Sequence, residues 1–261
     1  MKKQLNVVKI GGNIIDDDLN LFVFLSLFAD LKGAKILIHG GGKIATDLAA
    51  KLDVPQVMIE GRRYTDGNTL KIVTMVYAGL INKTIVARLQ YLECNSLGLT
   101  GVDANLVEAH QRPRKPLDYG YVAEIDKINI SVITSLLAQG LTPIIAPITH
   151  DGNGQLLNVN ADTMAQEIAV SLAKMYDVQL IYSFEKEGVL IDINDKNSVI
   201  RSLNPPYYKQ LKQQNKIFDG MIPKLDNAFK AIEQGIKAVI IGNAKKLDQL
   251  IKGQSGTKIE K

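Results

Sequence analysis

Short apolar runs alternate with segments of helical period along the chain. Each run has six to eight residues and lacks the apolar–polar alternation of a strand with one wet face. Such runs are typical of strands that are buried on both faces of a parallel sheet. The runs are "LNVVKI" (5–10), "AKILIH" (34–39), "LTPIIAPI" (141–148), "VQLIYS" (178–183) and "KAVIIG" (237–242).

Helical segments lie between and after these runs. The repeated order of strand and helix predicts the α/β class, as a three-layer αβα sandwich with a mainly parallel central sheet. No repeat or linker interrupts the pattern, so we predict one domain over residues 1–261. The helices are predicted at about residues 17–32, 42–52, 67–93, 129–139, 160–175 and 222–235.

Two stretches have the composition of surface hairpins. "NLVEAHQRPRKPLDYGYVAEI" (105–125) is broken by prolines and a glycine, and "APITHDGNGQLLNV" (146–159) contains two Asx-Gly turn signals. We therefore expect antiparallel strands in addition to the parallel sheet.

Composition and charge narrow the class of partner. Apolar residues make up 46% of the chain, charged residues 22%, and the net charge is +4, as in ordinary globular proteins. The mild positive charge suits anionic substrates, and the lack of a dense Lys/Arg block argues against nucleic acid. The single cysteine, Cys94, is interpreted as a buried apolar residue in a reducing compartment.

The most apolar window, "LNLFVFLSLFADL" (19–31), is too short to span a bilayer and has acidic residues at both ends. We interpret it as a helix that packs on the sheet. The expectation is a cytoplasmic protein without a membrane partner.

Two predicted strands end in glycine turns, "KIGGN" (9–13) and "HGGGK" (39–43). Such turns let the backbone approach a phosphate, although either one alone could be a simple strand-to-helix turn. A P-loop is excluded because Leu37 and Ile44 replace its required glycine and Ser/Thr. A dinucleotide turn would fit Gly40, Gly42 and Ala45, but the segment before Glu60 does not resemble the strand that this fold requires.

Charged and amide residues near these turns are candidates for chemistry. Lys9 ends an apolar strand, where a lysine is costly unless its ammonium meets an anion or snorkels to solvent. In "LNVNADTMA", the amide of Asn158 could bind a substrate and the charge of Asp162 could hold lysines in place, whereas Asn160 or Asp162 could simply cap a helix. Lys224 lies in the first turn of a predicted helix, where a positive charge opposes the helix dipole unless an anion binds.

Together these segments resemble the amino acid kinase family, and within it the acylglutamate branch. The resemblance covers essentially the whole chain. It runs through "VVKIGGN", "IHGGGK", "EGRRYTD", "AGLINKTIVARL", "LNVNAD", "FDGMIPK" and "SGTKI" in that order. It implies transfer of the γ-phosphoryl group of ATP to the side-chain carboxylate of N-acetyl-L-glutamate, in arginine biosynthesis.

The resemblance also implies residue roles. Lys9 and Lys224 would stabilise the transition state, and Asp162 would orient both lysines. Arg63 would hold the α-carboxylate of the acylglutamate, with Asn158 as the second ligand of the amino acid. Backbone N–H groups of Gly11, Gly12, Gly41 and Gly42 would bind phosphoryl and carboxylate oxygens.

ATP would lie over a C-terminal lobe at about residues 176–261, and the acylglutamate would bind an N-terminal lobe at about residues 1–175. Mg²⁺ would be held mainly by phosphate oxygens, without a protein metal cluster. The implied ATP-binding residues are Gly11, Gly12, Ser183, Glu185, Lys186, Gly188, Lys216, Ile217, Phe218 and Met221.

Two departures from the family pattern concern specificity. The family usually has G-L-R-V-T where this chain has "GRRYT", and usually has Asp where Glu185 falls. An extra cation would suit an acyl chain that ends in a carboxylate, so Arg62 either favours N-succinyl-L-glutamate or points to solvent. Other acceptors used in the family, and a non-catalytic anion-binding protein with this fold, are further alternatives.

The resemblance also suggests an assembly. Arginine-regulated members carry a helix before the first strand, whereas "MKKQ" stands there in this chain, so we expect a homodimer without arginine feedback. Ile72, Met75, Val76 and Leu80 would share one helix face, which serves either the dimer contact or the core.

Overall fold

A central sheet of eight strands organises this computed structural model, which describes residues 2–59, 62–192, 194–195, 197–217 and 221–261. The side chains of Arg62 and Pro223 also lie outside that description. The described strands of this sheet and of two smaller sheets are, in chain order, β1 (Lys3–Ile10), β2 (Ala34–His39), β3 (Met58–Ile59), β4 (Arg62–Arg63), β5 (Ser96–Thr100), β6 (Val107–Gln111), β7 (Ala123–Ile128), β8 (Thr142–Ala146), β9 (Ile148–His150), β10 (Leu156–Asn158), β11 (Tyr176–Phe184), β12 (Ser202–Leu203), β13 (Ala238–Asn243) and β14 (Thr257–Ile259).

The strand order of the central sheet is β12-β14-β13-β11-β1-β2-β8-β5. Every neighbouring pair is parallel except β13 and β14, which are antiparallel. The predicted α/β class with a mainly parallel sheet is therefore confirmed.

Helices cover both faces of this sheet. They are α1 (Gly12–Ile15), α2 (Asp18–Asp30), α3 (Gly42–Lys51), α4 (Gly67–Thr74), α5 (Asn82–Tyr91), α6 (Ile130–Ala138), α7 (Ala161–Leu172), α8 (Pro205–Gln213), α9 (Ile222–Glu233) and α10 (Leu247–Ile251). Successive strand residues serve opposite cores: Val7 packs with the α7 and α9 side, and Val8 packs with the α2 and α5 side. This two-sided burial explains why the strands are apolar at nearly every position.

One long helical stretch, Gly67–Tyr91, combines α4, a π-helical segment at Met75–Ile81, and α5. By length and composition alone it could cross a membrane, but 44% of its most apolar window is buried inside the fold. Core helices of globular proteins pass the same test.

The two predicted hairpins form a second sheet of four strands, in the order β10-β9-β6-β7. Its inner side chains, including Val107, Ala123 and Leu157, join the core. The prediction of a single strand over "LTPIIAPI" is wrong. The run divides before Pro147, where β8 ends in the central sheet, and β9 begins in the second sheet.

The order of strands in the sheet reverses at β1. The strands β2, β8 and β5 lie on one side of it, and β11, β13, β14 and β12 lie on the other. In open parallel sheets the crevice for a ligand forms at the carboxyl edge beside such a point. The turns after Ile10, His39 and Phe184 therefore meet at one edge, together with the amino ends of α3 and α7.

Candidate active site

Two lysines from distant parts of the chain share one carboxylate at this edge. Lys9 Nζ lies 2.7 Å from Asp162 Oδ1, and Lys224 Nζ lies 3.0 Å from Asp162 Oδ2. Lys9 ends β1, Asp162 lies in the first turn of α7, and Lys224 lies in the first turn of α9. The helix cap of α7 is Asn160, whose side chain accepts from the N–H groups of residues 162 and 163. Asp162 is therefore free to bind the lysines.

The lysines decide the charge state of this carboxylate. Burial would raise the pKa of Asp162, but the two ammonium groups outweigh it and lower the pKa to about 2. The three side chains together carry one net positive charge at neutral pH. Each lysine stays partly exposed, at 13% for Lys9 and 33% for Lys224, so both ammonium groups can also reach a bound anion.

These lysines border a cleft of about 230 Å³, which also touches Gly11, Gly12 and Ser183. The Gly11 N–H, predicted to bind an anion, donates in this structure to the Ser183 carbonyl oxygen at 2.9 Å. Ser183 in turn donates its hydroxyl to the Lys9 carbonyl oxygen at 2.8 Å. Gly11 and Ser183 thus extend the pairing of β1 with β11. Gly12 begins α1, and the first N–H groups of a helix have no acceptor within it.

A larger cavity of about 450 Å³ adjoins this cleft, since Phe184 and Glu185 line both. Its apolar walls include Val189 and Leu190, as a planar base requires. The ATP-binding predictions that line it are Glu185, Lys186, Gly188, Lys216, Ile217 and Met221. Phe218, also predicted there, lies outside the described residues.

A third cavity, of about 200 Å³, contains the predicted acceptor residues Gly41, Gly42, Arg63 and Asn158. Arg63 Nη2 donates to the Gly42 carbonyl oxygen at 2.8 Å and to Thr46 Oγ1 at 2.9 Å. These contacts fix the plane of the guanidinium group at the cavity wall. A guanidinium held in one plane is suited to a carboxylate, which it binds through parallel N–H bonds.

Hydrogen bonds through Thr65 to Arg63 orient the amide of Asn158. Its Nδ2 donates to Thr65 Oγ1 at 3.1 Å, and the Thr65 hydroxyl donates to the Arg63 carbonyl oxygen at 3.1 Å. Asn158 Oδ1 is buried and has no hydrogen-bond partner within the described part of the chain. An unpaired buried acceptor is costly, so this oxygen is available to an N–H group of a ligand.

Comparison with known proteins identifies the family. A profile of the amino acid kinase family matches residues 4–242. The chain belongs to the amino acid kinase family.

Relatives within the family are similar over nearly their whole length. The chain is 52% identical to a protein named acetylglutamate kinase from Cytophaga hutchinsonii, and the match covers 98% of each chain. It is 46% identical to a protein of the same name from Bacteroides thetaiotaomicron, over 100% of both. Among solved structures, smu.665 from Streptococcus mutans has 28% identity and a TM-score of 0.81, and the match covers 100% of this chain and 99% of that one. Carbamate kinase from Giardia lamblia bound to AMP-PNP has 15% identity and a TM-score of 0.71, with 100% and 99% coverage, and shares the fold.

Sequence reasoning missed one residue that lines the cavity of Arg63 and Asn158, and two more that contact those lining residues. Tyr77, from the π-helical segment, lines the cavity beside Arg63. Burial raises the pKa of Tyr77 although Arg63 opposes it, so its hydroxyl stays a donor. Gln56 accepts a hydrogen bond from Arg63 Nη1. Nothing in the sequence marked Tyr77, because its neighbours in "MVYAGLI" (75–81) are apolar and predict only a packed helix. Thr65, by contrast, lies within the quoted "EGRRYTD" and could have been found there.

Arg62 pairs with Ile59 through its backbone in the β3–β4 hairpin, and its side chain lies outside the description. Among the described residues, no three His, Cys, Asp or Glu side chains form a group that could hold a metal ion. His39 is fully buried at the end of β2, whereas His110 is exposed and lies between Glu124 and Asp126.

Proposed function

We propose that the chain transfers the γ-phosphoryl group of ATP to the side-chain carboxylate of N-acetyl-L-glutamate. The observation that carries this proposal is the Lys9–Asp162–Lys224 group at the centre of the site. On one side its cleft adjoins the cavity suited to a nucleotide. On the other side Asn160 and Ala161, the residues before Asp162, line the cavity of Arg63 and Asn158. The names of the relatives at 46–52% identity support the same acceptor.

The acceptor cavity contributes binding and orientation. Arg63 holds the α-carboxylate of the substrate, and Asn158 Oδ1 accepts from its amide N–H. These contacts leave the side-chain carboxylate at the turn of Gly41 and Gly42, pointing toward the lysines. A glutamate side chain is ionised at neutral pH, so no general base is needed.

Catalysis then consists of alignment and neutralisation of charge. Lys9 and Lys224 come from different halves of the chain and contact the phosphoryl oxygens from two sides. Asp162 keeps the two ammonium groups together before the substrate binds. The C-terminal lobe binds ATP in the cavity that Glu185 and Ile217 line. Mg²⁺, which kinases use to offset phosphate charge, would be held mainly by phosphate oxygens, because Asp162 is already paired with two lysines.

The product is an acyl phosphate, and the reaction is a step of arginine biosynthesis in the cytoplasm. The enzyme acts as a homodimer, with the helical stretch Gly67–Tyr91 supplying the contact. This stretch exposes Met75 and Leu80.

The deciding experiment measures initial rates of acyl phosphate formation, trapped with hydroxylamine, with ATP and Mg²⁺. N-acetyl-L-glutamate and N-succinyl-L-glutamate are compared as acceptors, with free L-glutamate as the control. We expect turnover with the acetyl substrate and little with free glutamate. Absence of turnover with every acceptor would contradict the proposal.

The second candidate, N-succinyl-L-glutamate, is favoured by the extra arginine in "GRRYT". It predicts that Arg62→Leu shifts the ratio of kcat/KM for the two acyl substrates toward acetyl. If the ratio is unchanged, Arg62 plays no part in selectivity.

A further inference from the structure

A buried chain of hydrogen bonds joins the glycine turn after β2 to helix α5. His39 is fully buried, and its Nδ1 lies 3.0 Å from the Gly40 carbonyl oxygen. Its Nε2 lies 3.1 Å from Nδ2 of Asn82, which is also fully buried. The same Nδ2 donates to the Ile144 carbonyl oxygen at 3.0 Å. These hydrogen bonds therefore connect the glycine turn at the cavity of Arg63 and Asn158 with helix α5, which begins outside that cavity.

The partners fix where the protons are. Lys83 Nζ donates to Asn82 Oδ1 at 3.1 Å, so Oδ1 is the acceptor of this amide and Nδ2 is the donor. Nε2 of His39 must then accept, and the proton of the neutral ring resides on Nδ1 and is donated to Gly40. Burial is the main reason that the pKa of His39 is lowered to about 4. The ring thus stays neutral and in one tautomer at neutral pH.

The next glycine of the turn rests on the same helix. Gly41 has φ +144°, and a Cβ atom there would lie 2.0 Å from Ile81 Cδ1 and 3.4 Å from Tyr77 Cδ1. Ile81 ends the π-helical segment and directly precedes Asn82. Segments of π-helix are rare and occur often at functional sites. The turn is thus connected to this helix at two points, through Ile81 beside Gly41 and through the Asn82–His39 contact before Gly40.

We propose that Asn82 is a positioning residue, which acts through His39 to fix the Gly40–Gly42 turn on the acceptor side of the site. The inference rests on the proposed function. Without the Asn82 amide, His39 loses the donor that sets its tautomer, and the Gly40 carbonyl loses a defined partner. Misplacement of a binding group by about 1 Å can cost up to about 100-fold in rate.

Asn82→Ala tests this role against a matched change on the same helix. Gln90 Nε2 also donates to a backbone carbonyl, that of Ser96 at 2.9 Å, but it has no contact with His39. We expect Asn82→Ala to raise KM for N-acetyl-L-glutamate by about 10-fold and to lower kcat, with KM for ATP nearly unchanged. Gln90→Ala should leave all three constants close to those of the parent enzyme. If the two variants behave alike, Asn82 does not position the turn.

Nitrogen NMR of the imidazole rings provides a readout that does not depend on turnover. The chain has three histidines, so His110→Gln and His150→Gln assign the His39 signals. We expect the Nδ1–H tautomer at neutral pH in the parent protein and a mixture of tautomers in Asn82→Ala. A parent ring with its proton on Nε2 would overturn the inference. Failure of the parent enzyme to phosphorylate any acceptor would instead count against the proposed function.

Lys83→Met covers the case in which Asn82→Ala does not fold. Lys83 is exposed, and its substitution removes the hydrogen bond to Asn82 Oδ1 and one to the Gly98 carbonyl oxygen, while the side chains of Asn82 and His39 are unchanged. We expect a smaller rise in KM for the acceptor, about threefold, again without a change in KM for ATP. Unchanged acceptor KM together with an unchanged His39 spectrum would contradict the proposal.

Discussion

Two lysines on neighbouring strands show how position decides what a charge does. Lys35 lies near the start of β2 and donates to the carbonyl oxygens of Phe28, Ala29 and Leu31, so it caps the end of α2. Lys9 lies at the other end of the neighbouring strand and pairs with Asp162 at the edge where ligands bind. Both interrupt apolar runs in the sequence. Lys35 lies near the amino end of its strand and caps a helix, whereas Lys9 lies near the carboxyl end of its strand and is a candidate catalytic residue.

Asp162→Asn should lower kcat by about 100- to 1,000-fold. The amide keeps the shape of the side chain but removes the charge that holds Lys9 and Lys224 together, so the two ammonium groups repel and lose their alignment. Steady-state kinetics of acyl phosphate formation measure the effect. The control is Asp177→Asn, which breaks a more exposed ion pair with Lys237. Equal rates in the two variants would contradict the role of Asp162.

Asp162 should also contribute to stability in acid. Its pKa is about 2 in the folded protein, against an ordinary value of 3.8 for an aspartate side chain. A lowered pKa means that the stabilisation is complete above about pH 4 and is lost as the pH falls toward 2, with a size of about 2 kcal/mol. Urea unfolding of the parent and of Asp162→Asn should therefore give a difference in unfolding free energy that shrinks over this range. A difference independent of pH would exclude this linkage.

At the scale of elements, the glycine turn and the π-helical segment form one packed unit. Gly41→Ala should destabilise the protein by about 2–4 kcal/mol and raise KM for the acceptor, because the new Cβ meets Ile81 at a positive φ. Gly140→Ala has a positive φ of +74° with open space around it, so it measures the cost of an alanine at positive φ without a clash.

The clash can be separated from the strain by a second substitution. Ile81→Val removes the Cδ1 atom that a Cβ at position 41 would touch. In a double-mutant cycle, Ile81→Val should recover part of the stability lost in Gly41→Ala. Thermal or urea unfolding of the four proteins measures this coupling. Strict additivity would show that the two residues do not contact each other.

The sequence was informative wherever local pattern and burial agree. β2 was predicted with its observed bounds, because its apolar run ends at glycines that also end the strand. β5, "SLGLT", lies at the edge of the sheet and was missed, because a glycine and two polar residues interrupt its apolar pattern. The contact of Tyr77 with the glycine turn and that of Asn82 with His39 were also missed. They arise from packing between segments about 40 residues apart, which no local period encodes.

At the scale of the molecule, the topology explains how the site is assembled. β1 pairs with β2 on one side and with β11 on the other, so the turns of both halves of the chain meet at one edge. The three charged residues at positions 9, 162 and 224 come together only because α7 and α9 pack on the same face of the sheet. Each residue was a candidate by itself in the sequence, whereas their grouping came from the family resemblance.

The long helical stretch Gly67–Tyr91 also concerns assembly. The four apolar residues predicted to share one of its faces are partly buried and partly exposed in the structure. Ile72 and Val76 are buried in the core, whereas Met75 and Leu80 are 55% and 59% exposed. Large apolar side chains that share an exposed face favour a contact with a second copy. We therefore expect light scattering to give twice the chain mass of 28.6 kDa.

Leu80→Glu should shift this mass to that of one chain, since a carboxylate buried in an apolar contact is strongly unfavourable. The control is Leu19→Glu, which places the same charge on α2 at a side chain that is 72% exposed. That variant should keep the mass of two chains. A parent protein with the mass of a single chain, or a Leu80→Glu variant that stays paired, would exclude this helix as the contact between copies.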